Sequence, residues 1–186
     1  PQEEGRGIEV EGVDLLRPPG FCGKLAKWIN ERNRHSREYL STAAAISVVS
    51  AVAGMRYQDP LDGITPNVFL FGVAGSATGK ESILKSSQEL MRSAGIAGAV
   101  HGGIKSEQEI FRNLIRHQAV IYSVDELGEQ LGKIQNARTK GTASYLEGVI
   151  GTLMSVYSKA NSFALVTGDL KEEIKKALLA EHASVD

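Results

Sequence analysis

The residues best placed to do chemistry lie in two short runs. The first is Ala74-Gly75-Ser76-Ala77-Thr78-Gly79-Lys80-Glu81-Ser82. It is rich in small residues, ends in Gly-Lys, and follows an apolar run at 68–73 that reads as a buried strand. Helical patterning resumes directly after it. A strand, a flexible turn and a helix start in that order bring backbone N–H groups and the positive end of a helix to one point, where an anion is stabilised. Lys80 adds a mobile positive charge suited to the outer phosphates of a nucleotide. The spacing approaches G-x-x-x-x-G-K-[ST] and departs from it twice. Ala74 stands where the first glycine is expected, and Glu81 stands where a hydroxyl would meet magnesium; Gly75 and Ser82 are the neighbours able to compensate.

The second run is Ala119-Val120-Ile121-Tyr122-Ser123-Val124-Asp125-Glu126, an apolar stretch that ends in two adjacent acids. In a parallel sheet, ligands sit outside the carboxyl ends of the strands, so Asp125 is expected at the same edge as Lys80. An Asp there holds magnesium, directly or through water, and Glu126 orients or deprotonates a water for attack on a terminal phosphate. Taken alone, the pair would more simply cap the next helix. Taken with a glycine-rich loop ending in Gly-Lys, the nucleotide reading is the stronger one.

The elements that must position these residues follow from periodicity. Residues 1–20 are polar and punctuated by Gly and Pro, as in an irregular arm or linker. Residues 21–35 turn helical, with Leu25, Trp28 and Ile29 on the packing face. The opposite face carries Lys24, Lys27, Arg32 and Arg34 against Glu31 and reads as solvated. A second helix, starting at Ser36 or Ser41, runs to about Gly54 and is rich in Ala and Val, with almost no polar face. Asp59-Pro60 and Asp62-Gly63 signal turns. After the glycine-rich loop, Ile83, Leu84, Leu90 and Met91 mark a buried helical stripe. A short strand is expected at 99–104.

Ser106-x-x-Glu109 has the form of a capping box opening a helix with Ile110, Phe111, Leu114 and Ile115 inside. Residues 128–141 read as a polar loop carrying Lys133, Arg138 and Lys140. From Thr142 an amphipathic helix presents Tyr145, Leu146, Val149, Ile150, Leu153, Met154 and Tyr157. Residues 163–166 read as a link into a last helix at 171–182, or as a further strand with Thr167 at its end. His101 and His117 lack partners at metal spacing and read as structural.

The 186 residues bound this to about one domain, with 42% apolar and 23% charged residues. A net charge of −1 gives no global case for nucleic acid, so any such contact must be local. One cysteine, Cys22, excludes an internal disulfide. The longest apolar stretch, 43–55, is too short to span a bilayer, and no secretory signal is visible. The sequence opens on Pro1, which reads as a piece of something longer.

Strands at about 68–73, 99–104 and 119–124 with helices between them predict an α/β fold with a parallel sheet sandwiched by helices, preceded by a small helical segment. Residues 74–81 with Asp125-Glu126 resemble the Walker A and B pair of P-loop ATPases that place a catalytic Glu beside the metal Asp, the RecA-like and AAA+ group. More narrowly, residues 43–186 are similar to the ATPase domains beside primase modules in phage and mobile-element replication proteins. That similarity rests on the Gly-Lys-Glu ending, the Ser106-Glu107-Gln108 helix start and the Asp125-Glu126-Leu127-Gly128 run.

The resemblance implies three parts: an arm at 1–20, a helical segment at 21–58 and a P-loop core at 59–186, shortened at its C-terminal end. It implies ATP and Mg2+ as cofactors, with Lys80 and Glu126 catalytic and Asp125, with Glu81, at the metal. It further implies hydrolysis coupled to movement on single-stranded or forked DNA, in a homo-oligomer such as a hexameric ring, within the cytoplasm of a bacterial host. Lys133, Arg138 and Lys140 are the expected contacts to DNA or to a neighbouring subunit. Two other readings stay open: a small-molecule kinase, and an assembly module that binds nucleotide with little turnover.

Overall fold

A computed structural model of the chain describes residues 14, 16–75, 80–117, 119–140, 145–158 and 160. The chain divides into two compact units, Pro1–Ser50 with Phe69–Ala97, and Ala51–Val68 with Gly98–Asp186.

The first unit is built on helices α1 (Gly20–Glu31), α2 (Glu38–Ala53) and α3 (Lys80–Ser93). α1 buries Leu25, Ala26 and Ile29, and α3 buries Ile83, Ser86, Ser87 and Met91. Ile29 and Met91 are fully buried, and each contributes roughly 1.5–3 kcal/mol by leaving water. The serines let the helix backbone approach its neighbour closely. Their hydroxyls donate back to the carbonyls of Ser82 and Ile83 at 2.9 and 3.1 Å, so the burial leaves no unpaired group.

α1 ends earlier than its periodicity predicts. The Asn33 side chain donates to the Ile29 carbonyl at 2.9 Å and takes up one of the helix's orphan acceptors. Arg32, at the end of α1, donates to both carboxylate oxygens of Glu89 on α3 at 3.1 and 2.9 Å. Its guanidinium also lies 4.4 Å from the Trp28 ring centroid. Along α2 the buried positions are Ser41, Thr42, Ala45 and Val48, a narrow stripe, with Val52 exposed near its end. Apart from Glu38, Tyr39 and Val52, the other positions are half-buried, so the helix is covered on most sides.

α3 stops at a Schellman motif. Gly95 takes φ 78°, its N–H donates to the Arg92 carbonyl, and the Ile96 N–H donates to the Met91 carbonyl, each at 3.0 Å.

The second unit holds the β structure. Strands β1 (Val100–His101) and β2 (Ile121–Tyr122) pair in parallel, with Val100 opposite Ile121 and His101 opposite Tyr122. Helix α4 (Glu107–Arg116) forms the crossover between them. Both strands fall inside the stretches expected to form them, and the parallel sense is the expected one. Ser106 caps α4 by accepting from the Glu109 N–H at 3.2 Å. The Glu109 carboxylate reaches back to the Lys105 N–H at 2.8 Å, one residue earlier than a standard capping box. α4 buries Ile110 and Asn113 rather than an all-apolar face.

Two further helices complete the unit, α5 (Leu127–Thr139) and α6 (Tyr145–Ser158). On α6, Val149 and Thr152 are buried and Leu153 and Val156 half-buried, while Met154 and Tyr157 face solvent. The inward stripe is thus rotated from the expected one. Thr152 is the reason: its hydroxyl donates to the Glu107 carboxylate of α4 at 3.2 Å, which makes a polar residue an inward one.

Residues 63–75 form neither helix nor strand, and Val68, Phe69, Leu70, Phe71 and Val73 are all exposed, Val73 at 97%. The buried strand expected at 68–73 is absent here. A strand needs a hydrogen-bonded neighbour, and among the described residues the only ladder is that of β1 with β2. Among the described residues no helix is long and apolar enough to cross a membrane. The expected elements at 163–166 and 171–182, and most of the arm at 1–20, lie outside the described residues.

Candidate functional site

The half expected to hold phosphates begins at the start of α3. Lys80 is its first residue and Glu81 lies in its first turn. The first amides of any helix have no partner within it, so this end of α3 favours an anion. Ala74 is half-buried and Gly75 exposed on the approach, while Ser76, Ala77, Thr78 and Gly79 lie outside the described residues. The approach is held to its unit where Gly72 passes Leu40: a Cβ at this glycine would stand 2.8 Å from a Leu40 methyl. Glu81, standing where a hydroxyl is expected, receives the Lys85 ammonium at 3.1 Å one turn along. Both side chains are largely exposed, so water screens the pair and its contribution to stability is small. Ser82 is half-buried beside it.

The acidic half follows β2. The Ser123 N–H donates to the His101 carbonyl at 2.8 Å and carries the parallel pairing one residue past the strand. The chain then reaches Asp125 and Glu126, both exposed, immediately before α5. Oδ1 of Asp125 accepts from the Glu126 N–H at 2.8 Å. Glu126 has φ 55°, the left-handed region, which costs a non-glycine residue roughly 1–2 kcal/mol. Its carbonyl accepts from the Glu129 N–H at 3.0 Å, which closes the first turn leading into α5.

Behind β2, Tyr122 and His101 stack with ring centroids 5.4 Å apart. Asn113 of α4 donates to the Tyr122 hydroxyl at 3.2 Å. Burial pushes the Tyr122 phenol above its ordinary range; the Asn113 hydrogen bond opposes the shift and the Glu109 carboxylate adds to it. Sequence reasoning missed this Asn-Tyr-His cluster. The available signal was Asn113 itself, a polar residue three positions after Ile110 on the inner side of an amphipathic helix.

Lys80, Glu81 and Ser82 thus share one helical turn, and Asp125 and Glu126 share one hydrogen-bonded corner. The first group belongs to the first unit and the second group to the second. The polar loop expected at 128–141 is instead α5. Glu129 pairs with Lys133 at 3.6 Å across one turn, and good helix formers outweigh the two glycines in this stretch. Lys133 and Arg138 are therefore helical residues, and Lys140 is exposed just past the helix end.

No family model, no curated protein and no solved structure matches this chain.

The residues present fit a magnesium nucleotide in one respect and resist it in another. Among the described residues no three His, Cys, Asp or Glu side chains gather into a metal cage. Magnesium with nucleotides needs none, because it is usually held by one or two carboxylates together with phosphates and water. An exposed Asp125 suits that role. Glu81 does not supply the hydroxyl such sites use, and its negative charge next to phosphates opposes binding, offset in part by Lys85.

Proposed function

We propose that this chain is the Mg-ATP-binding and hydrolysing motor domain of a replicative DNA helicase-like or primase-helicase-like protein, built as a P-loop α/β core and working in the cytoplasm. The observation that carries the reading is Lys80 as the first residue of α3, directly after the sequence Gly75-Ser76-Ala77-Thr78-Gly79. Asp125-Glu126, just past the end of β2 and beyond Ser123-Val124, support it.

In this reading Lys80 and the first amides of α3 hold the phosphates, and Asp125 holds magnesium with a lesser role for Glu81. Bound Mg-ATP supplies the activated phosphoanhydride. The remaining work belongs to the chain's own groups. Lys80 sets a positive charge against the outer phosphates. The exposed Glu126 carboxylate accepts the proton of an attacking water and orients it. Single-stranded DNA and further copies of the chain are the partners this reading assigns.

The test is ATP binding and phosphate release by wild type, Lys80→Ala and Glu126→Gln, with and without single-stranded DNA. Lys80→Ala should lose binding, and Glu126→Gln should bind while turnover falls about 10²–10⁴-fold. ATP binding that survives Lys80→Ala undiminished would refute the assignment.

A nucleotide-binding assembly module with little turnover is the second reading, favoured by Glu81 in place of the metal hydroxyl. It is preferred if wild type binds ATP and releases no phosphate.

A further inference from the structure

We propose that the connection between α1 and α2 is a binding surface for single-stranded nucleic acid, with Arg34 and Tyr39 as its principal contacts. The chain as a whole is nearly neutral at −1. The first unit is nearly balanced too, with ten Lys and Arg against nine Asp and Glu, so a basic contact has to come from a local run. The densest part is Arg32-Asn33-Arg34-His35-Ser36-Arg37, with no acid between Glu31 and Glu38.

The fold uses some of these charges and leaves others. Arg32 is engaged by Glu89 and Trp28, and Lys27 pairs with Glu31 at 3.8 Å. Arg37 donates to the Ser36 carbonyl at 3.0 Å. Arg34 and His35 are exposed, and neither makes a hydrogen bond or ion pair to any described residue. Among the described residues, neither side chain is matched, and both stand open to a partner.

The backbone that carries them is held in place. Oδ1 of Asn30 accepts from the Arg37 N–H at 2.6 Å and from the Ser41 hydroxyl at 3.3 Å, while its Nδ2 donates to Ser36 Oγ at 3.0 Å. With the Asn33 bond to Ile29, both ends of the connection are tied to helices. The ordering cost of the backbone is met during folding, so a ligand bears only that of the Arg34 side chain.

The chemistry selects the partner. A guanidinium offers a planar fork of donors that fits a phosphodiester better than an ammonium does. Tyr39, two residues after Arg37 in the first turn of α2, is 67% exposed and offers a ring face on which an unpaired base can stack. Stacking of that kind needs bases free of a duplex, which favours a single strand. A lipid surface is the weaker fit, since recognition there uses clusters of about four to eight Lys and Arg.

The surface is tested without nucleotide, so an inactive ATPase leaves the result readable. Fluorescence anisotropy would follow the full chain binding a labelled oligothymidylate over a range of salt concentrations. Wild type should bind with an affinity that falls as salt rises. Arg34→Glu should weaken binding about tenfold and lower the salt slope by about 0.7 for each phosphate no longer neutralised.

Arg34→Lys, which keeps the charge, should keep most of that slope, and Tyr39→Ala should weaken binding roughly fivefold or more. Arg116→Glu, at an exposed cation of α4 in the second unit, is the control for net charge and should change affinity less than about twofold. Absence of binding by wild type overturns the proposal, as does an equal loss in Arg34→Glu and Arg116→Glu. Arg34-dependent capture by phosphatidylserine vesicles without binding of the oligonucleotide would assign the patch to lipid and overturn it equally.

Discussion

The Glu126 N–H donates to Oδ1 of Asp125 at 2.8 Å, and this bond joins the two acids while Glu126 itself sits at φ 55°. A left-handed glutamate at the end of an apolar run is a cost that the fold carries without a packing return, since the residue is exposed. Strain at an exposed residue is compatible with the water-orienting role proposed for Glu126.

Stability and activity should therefore separate at this position. Asn adopts the left-handed region readily, so Glu126→Asn should keep or raise stability, by up to about 1 kcal/mol, while abolishing phosphate release. Glu126→Val should lose both, because a β-branched residue is disfavoured there. Thermal unfolding run beside a phosphate-release assay on the same preparations makes the comparison. A large loss of stability in Glu126→Asn would mean that the carboxylate, rather than the backbone, holds this corner.

Glu81 is the residue most at odds with a magnesium nucleotide site. Glu81→Thr removes a negative charge beside the phosphates and supplies the missing hydroxyl. Nucleotide affinity in the presence of magnesium should rise about tenfold. The ion pair with Lys85 that it removes is exposed, so thermal stability should change little. Titration calorimetry with and without magnesium reads the effect, and weaker binding by Glu81→Thr would show that the carboxylate itself is a ligand.

At Gly95 the space beyond the Cα is open, and only φ 78° excludes other residues. Gly95→Ala should cost roughly 1–2 kcal/mol with the surrounding packing intact, and Gly95→Asn less. Chemical denaturation gives the size. Amide exchange at Ile96, whose N–H closes the Schellman motif, gives the place.

Tyr122 ties stability to alkaline pH. Its folded-state pKa lies above the ordinary 10.0 because the phenol is partly buried. The stabilisation is complete below the unfolded pKa and is lost as pH rises through the folded one, since the unfolded state releases the proton first. Unfolding free energy should fall from about pH 10 upward. Tyr122→Phe should flatten that fall, at a cost near neutral pH of about 0.5–1.5 kcal/mol for the Asn113 hydrogen bond. Denaturation of both proteins across the alkaline range tests it, and an unchanged slope in Tyr122→Phe would assign the alkaline loss to other groups.

Much of the local structure could be read from residue types. The turn at Asp59 and Gly63 forms as its composition predicts, with the Leu61 N–H on the Asp59 carboxylate at 2.7 Å and Gly63 at φ 67°. The Ser106 cap and the strands beside α4 were equally legible, because a cap and a short apolar run act over a few residues. α5 was hidden by Gly128, Gly132 and a polar composition that resembles a loop. Its Glu129–Lys133 pair at i, i+4 was the signal for a helix.

The sequence by itself determined the chemistry on offer: a lysine at a helix start after glycines, two acids after an apolar run, and a connection dense in arginine. Those properties depend on neighbours along the chain. The tertiary structure decided which of them the fold consumes. Arg32 is taken by Glu89, 57 residues away, and Thr152 by Glu107, 45 residues away, whereas Arg34 is left exposed. It also left the apolar run at 68–73 without the strand its composition favours. The physical reason is common to both. A hydrogen bond, an ion pair or a strand ladder needs a partner brought close by folding, and residue type alone cannot name that partner.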